Sequence, residues 1–138
     1  MAVSGKPVSG ERQKPRQQPR HYGLQVWKDA MRLVREMYRI TATFPEDERF
    51  GLVSQMRRAA VSIPSNIAEG AARGGRAELV RFLAIARGSL AELDTHLWIA
   101  RDLGFLDDAD PVQSAAQLLH ARLNALITAN RARAGESR

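Results

Sequence analysis

Apolar residues recur along this chain at helical spacing, in four blocks separated by short clusters of Pro, Gly and acidic residues. In the first block, residues 24–43, Leu24, Trp27, Met31, Val34, Tyr38 and Thr41 form one heptad stripe. Val26, Ala30, Leu33, Met37, Ile40 and Phe44 form a second beside it. Together they cover about half the helix, wider than the stripe a single bundle asks for. Two readings stand side by side. Either the helix lies deep in a core, or its second stripe (Val26, Leu33, Met37 and Ile40) is buried against another subunit. Phe44-Pro45 ends the block, and Glu46-Asp47-Glu48 complements the positive end of the next helix.

The second block runs to about residue 72 and carries Leu52, Met56, Ala59 and Ile63 at 4-3-4 spacing, with Arg57 and Arg58 off that stripe. Pro64 removes one intrahelical hydrogen bond and predicts a kink or break near Ser62. Asn66 and Glu69 have capping-box spacing and would restart the helix beyond it. Arg73-Gly74-Gly75-Arg76 is then a turn flanked by two arginines. The third block, 77–103, has the most regular seam: Leu79, Leu83, Ala86, Leu90, Leu93, Leu97 and Ala100. Gly88 interrupts it and predicts close approach of a neighbouring helix, helped by Ala84. Trp98 lies off the seam, beside Ala91 and Asp94, and is a candidate contact between subunits. Gly104 stops this helix, and Asp107, Asp108 and Asp110-Pro111 open a fourth. That helix carries Val112, Ala116, Leu119, Leu123 and Leu126 to about residue 132. Short connections favour antiparallel neighbours, so the pattern predicts an all-α, up-down-up-down four-helix bundle with helix 2 kinked at Pro64.

The second block also reads as a phrase: Glu48-Arg49-Phe50-Gly51-Leu52, Ser54-Gln55, Arg57-Arg58-Ala59, then Ser62-Ile63-Pro64-Ser65-Asn66-Ile67-Ala68-Glu69-Gly70. This closely resembles the signature of the four-helix-bundle proteins first described from 23S rRNA intervening sequences. Leu24-Gln25-Val26-Trp27 with Ala30 resembles the family's first-helix opening. Arg81-Phe82-Leu83, Ile85-Ala86 and Gly88-Ser89-Leu90-Ala91-Glu92-Leu93 resemble its third helix. The resemblance implies the bundle fold and a homo-oligomer, a ring-shaped pentamer in related bundles. It implies no settled activity. A more distant relative assists a reverse transcriptase by binding it and RNA.

Charge changes this picture more than composition does. The net charge is +6 over 138 residues, but residues 1–22 hold Lys6, Arg12, Lys14, Arg16 and Arg20 against Glu11 alone. Arg131, Arg133 and Arg138 stand against Glu136 at the other end, so the central residues, 23–130, sum to zero. Residues 1–22, rich in Pro and polar side chains, predict a disordered basic tail, with a bundle over 23–132 and a second basic tail over 133–138. In the predicted topology the 1–2 and 3–4 connections share an acidic pole. The Arg73–Arg76 turn shares a basic pole with both chain ends.

The absence of cysteine leaves no disulfide, thiolate zinc site or cysteine nucleophile, and fits a cytoplasmic protein. No apolar run approaches the length of a membrane span, and the polar start predicts no leader. His21, His96 and His120 lack zinc-type spacing. Glu92 and His96 are one turn apart, but the further Glu and Glu-x-x-His ligands of a di-iron bundle are missing. Ser65 and Ser89 have no evident base. The expectation is a protein without catalytic residues, metal or other cofactor. Two partner classes remain. One is nucleic acid, RNA first, bound at Lys6, Arg12, Lys14, Arg16, Arg20, Arg57, Arg58, Arg73, Arg76, Arg131 and Arg133. The other is a protein held by an oligomeric scaffold, the tails acting only as solubilisers.

Overall fold

A computed structural model describes residues 18–136. Four helices carry the fold: α1 (Gln25–Thr41), α2 (Leu52–Ala72), α3 (Arg76–Asp102) and α4 (Val112–Glu136). Each packs beside its sequence neighbour and α1 closes against α4, while α1–α3 and α2–α4 lie on the diagonals. Sequential adjacency with short connections gives the up-down-up-down bundle that the pattern predicts. Phe44 and Phe105, one from each of the 1–2 and 3–4 connections, meet with ring centroids 5.6 Å apart, so both connections lie at one end. Among the described residues no helix is long and apolar enough to cross a membrane.

The helix ends form where the local chemistry calls for them. Gly104 adopts φ 79°, and the amide of Phe105 turns back to donate to the Ala100 carbonyl at 2.8 Å, closing α3. The Asp110 carboxylate accepts the Val112 N–H at 2.9 Å and opens α4. Arg101 secures the connection between them. It donates to the carbonyls of Asp107 (2.7 Å) and Asp110 (2.9 Å) and to the Gln113 side chain (2.7 Å).

Helix 1 resolves the two-stripe question within one subunit. Val26, Leu33, Met37 and Ile40 are buried in the subunit's own core with Ala30 and Phe44. They are therefore not an oligomer interface. The first stripe, Leu24, Trp27, Met31 and Val34, is the half-buried flank. A helix packed between two neighbours needs both faces covered, which is why its apolar surface is broad.

Pro64 does not break helix 2, which runs unbroken from Leu52 to Ala72. The amide that proline lacks would have served the Ala60 carbonyl. Around this gap, side-chain donors reach back to the backbone. Ser62 Oγ donates to the Ala59 carbonyl at 2.7 Å, Ser65 Oγ to Val61 at 2.8 Å, and Asn66 Nδ2 to Ser62 at 2.8 Å. Asn66 is thus a donor to a carbonyl, not the N-cap its spacing suggests. Glu69 pairs with Arg73 at 2.8 Å instead of completing a capping box.

The close helix approach lies at Gly70, not Gly88. A Cβ on Gly70 would meet the Phe82 Cβ at 2.7 Å, whereas one on Gly88 would meet nothing within 4 Å. At Gly70 there is no room for a side chain between α2 and the first turns of α3.

At the start of the chain, Arg20–Gly23 form a 3-10 turn. Tyr22 stacks on Trp27 with centroids 5.5 Å apart, and the His21 ring meets both edge-on at 5.0 Å. Residues 20–22, expected in the tail, are thus packed against α1, and residues 1–17 of that expected tail lie outside the described residues. At the other end α4 continues to Glu136, past the expected boundary at 132.

Candidate nucleic-acid interface

The Arg20 turn, the end of α4 and the α2–α3 turn meet at the pole opposite the Phe44–Phe105 contact. There an open depression of about 680 Å³ lies between the Arg20 turn, the end of α2, the start of α3 and the end of α4. Arg20, Arg76 and Arg133 line it, and none of its lining residues is acidic. Its apolar lining includes Leu24, Leu79 and Leu126, with Asn130 as the polar side chain among them. Asn130 is only 9% exposed and donates Nδ2 to the Leu126 carbonyl at 2.8 Å.

Two carboxylates near it, Glu69 and Glu78, are engaged by other arginines. Arg73 holds Glu69 at 2.8 Å and approaches Glu78 at 3.6 Å, while Arg81 approaches Glu78 at 3.5 Å. Both guanidinium groups also sit over the Phe82 ring, at 5.0 and 4.9 Å from its centroid. Arg73 therefore belongs to a local ion-pair and ring cluster and does not line the depression.

The other candidate cations separate by the same criterion. Arg57 is half-buried, stacked over Tyr38 at 4.3 Å and donating Nε to Thr41 Oγ1 at 2.9 Å. That geometry ties α2 to α1. Arg58 is exposed and makes no ion pair among the described residues, but it lies along the helix flank, outside the depression. Arg131 is exposed on α4 and also does not line it. Lys6, Arg12, Lys14 and Arg16 lie outside the described residues. Of the eleven candidates proposed from sequence, three converge on one site.

Asn130 escaped the sequence reading. It continues the core row of α4 after Leu119, Leu123 and Ile127, a polar residue at a position periodicity assigns to the interior. That mismatch was its signal. The same reading placed Leu126 in the core, where the structure puts Ile127.

Elsewhere, His96 is 5% exposed on α3. Its Nε2 stands 3.6 Å from Glu92 Oε2, and its buried Nδ1 has no hydrogen-bond partner among the described residues. Burial holds its pKa below the usual imidazole value, against the opposing charge of Glu92. No group of three His, Asp or Glu side chains that would hold a metal gathers among the described residues. Trp98, the remaining interface candidate, is 52% exposed.

Fold and charge together define an antiparallel helical bundle with an arginine-lined depression beside its α2–α3 turn. The family described as 23S rRNA-intervening sequence protein matches residues 23–125, and the chain belongs to that family. No curated protein matches it significantly.

Proposed function

We propose that this protein is a non-catalytic, oligomeric bundle that binds nucleic acid, RNA in preference, through its basic pole and the basic chain ends. The observation that carries this reading is the depression whose charged lining consists only of arginines. Phosphate oxygens are the complementary ligand, because guanidinium groups present several donors in a fixed fork. The net charge of +6 sits in residues 1–22 and 131–138, so the remaining contacts are electrostatic and independent of sequence. Assembly would place several such poles on one particle and raise their effective concentration for a single strand.

The surface proposed for assembly is the outer face of α3. Ile85 and Ile99 are 42% and 40% exposed and share one flank with Leu103, 57% exposed just past the helix end, while Trp98 is exposed about a quarter turn round the helix from Ile99. Aromatic and aliphatic exposure of this kind marks subunit contacts. The same surface supports the second reading, a scaffold whose ring holds a protein partner.

Fluorescence anisotropy with labelled RNA and DNA over a salt series tests the proposal. Affinity should fall steeply with salt, the log–log slope growing by about 0.7 per phosphate neutralised on single strands and about 0.9 on duplex DNA. Removing residues 1–17 should flatten the slope while leaving the number of subunits per particle unchanged. No binding by the intact protein at about 50 mM salt would overturn the nucleic-acid reading and leave the scaffold.

A further inference from the structure

We infer that the exposed seam on the outer flank of α3 docks into the groove between α1 and α4 of a second copy of this chain, so that subunits join head to tail. The inference rests on the assembly proposed above and deepens it by naming the surface that receives α3.

The seam has the spacing of a buried helix face but points outward. Ile85, Gly88, Glu92, Thr95, Ile99 and Asp102 recur at 3-4-3-4-3 spacing, and all six are exposed. They lie on the α2 side of α3, since Ile85 is three residues beyond Phe82, whose Cβ faces Gly70 of α2. On the other flank the cations of α3 turn to α4. Arg87 donates to Asn124 Oδ1 at 2.8 Å and Arg101 to Gln113 Oε1 at 2.7 Å. The seam is left with two carboxylates that no arginine or lysine holds. Glu92 has only the buried His96, at 3.6 Å, and Asp102 has no partner among the described residues.

The receiving surface is on the opposite side of the bundle, where α1 meets α4. An open groove of about 400 Å³ runs between these two helices. Leu33, Val112, Ala115, Leu118 and Leu119 give it an apolar lining, and Leu118 is 51% exposed there. Its rim carries Arg32, Arg35 and Arg122 against Asp29 and Glu36. Asp29 is held by Arg32 and Arg122, and Glu36 by Arg39 at 2.7 Å. Arg35 is exposed and has no partner among the described residues. Length and charge both match the α3 seam. The groove follows α4 from Pro111 to Arg122, about 16 Å, and Ile85 to Ile99 covers about 21 Å. Two α3 seams laid together would oppose carboxylates, whereas seam against groove brings Glu92 and Asp102 to a basic rim. Because seam and groove occupy opposite sides, the contact is heterologous. Each copy keeps one of the two surfaces free for the next, which closes into a ring when the rotation permits.

The test damages one surface at a time in the full-length protein, with Ile99→Glu on the seam and Leu118→Glu in the groove. Light scattering reads the mass and circular dichroism the helix content. Both side chains are exposed in the single bundle, at 40% and 51%, so the fold is retained. Each variant alone should be a monomer. Mixed in equal amounts at about 100 µM, they should form a species of twice the 15.3 kDa chain and no larger, since only one intact seam and one intact groove can meet. Arg35→Glu, a charge reversal on an exposed side chain, should raise the concentration at which the assembly dissociates by at least about tenfold. An unchanged value overturns the charge match that selects the groove. If Ile99→Glu is a monomer but Leu118→Glu assembles like the parent, the groove is overturned and the contact belongs to paired α3 seams. A mixture that stays monomeric overturns the head-to-tail contact. A parent protein that is monomeric at the same concentration overturns the assembly reading itself.

Discussion

Two glycines on facing helices are predicted to respond oppositely to the same change. Gly88 is helical, exposed and without neighbours, so Gly88→Ala should stabilise the fold by about 0.5–1 kcal/mol through helix propensity alone. Gly70→Ala places a methyl group 2.7 Å from the Phe82 Cβ and should cost about 1–3 kcal/mol. Denaturant midpoints measured at one protein concentration distinguish the two. His96 gives a third prediction at this scale. Its folded pKa lies below 6.5, so the unfolded chain takes up a proton more readily as the solution acidifies. Stability should therefore decline as pH falls through about 6.5, and level off only once the folded pKa has been passed. His96→Leu should remove this part of the decline, which unfolding curves at about pH 7.5 and 5.5 would reveal.

Between elements, single arginines and carboxylates do work that helical periodicity does not display. Asp29 of α1 accepts Arg122 Nη1 of α4 at 2.6 Å and Gln25 Nε2 at 2.9 Å, and also pairs with Arg32. Burial raises the carboxyl pKa, but the bonds from Arg122 and Gln25 and the charges of Arg122 and Arg32 more than reverse this. The result lies below the ordinary carboxylate value of 3.8, so the pair's contribution is complete at neutral pH and is lost only as pH falls through the folded pKa. Asp29→Ala should cost about 1–2 kcal/mol at pH 7, and the loss should vanish in strong acid. Arg57 and Arg58 offer a comparison on α2. Arg57→Ala removes the stacking on Tyr38 and the bond to Thr41, and should lower stability by about 1 kcal/mol with little effect on RNA affinity. Arg58→Ala should leave stability within about 0.5 kcal/mol of the parent.

At the scale of the whole molecule, the bundle separates its charges along its length. Glu46, Asp47, Glu48, Asp107, Asp108 and Asp110 belong to the connections at the Phe44–Phe105 end. Arg20, Arg76 and Arg133 gather at the other. If the α3 face mediates the proposed assembly, light scattering should give a mass several times the 15.3 kDa of one chain. The double substitution Ile99→Glu and Leu103→Glu should reduce that mass to the monomer without loss of helix content, since both side chains are exposed in the isolated bundle. A parent protein that is already monomeric at micromolar concentration would remove α3 as an interface. It would also limit each particle to one basic pole.

How much of this was legible in the sequence follows from what a one-dimensional pattern carries. Pro45, Gly104 and Asp110-Pro111 act through their own backbone and immediate neighbours, so the four helices and their order were readable in advance, whereas α2 starts later and α4 ends later than expected. The family phrase around Pro64 was readable for the same reason, and the match over residues 23–125 bears it out. Periodicity also assigns relative phase around a helix, but not which phase a neighbour covers. Only packing placed Val26, Leu33, Met37 and Ile40 inside the subunit and left Ile85, Ile99 and Leu103 outside. Counting arginines likewise located a basic end without telling which of them share one hollow. Arg73 is held by Glu69, Glu78 and Phe82, and Arg57 by Tyr38 and Thr41, whereas Arg20, Arg76 and Arg133 meet around a shared hollow. That last distinction depends on residues more than a hundred positions apart converging in space, and tertiary structure alone decides it.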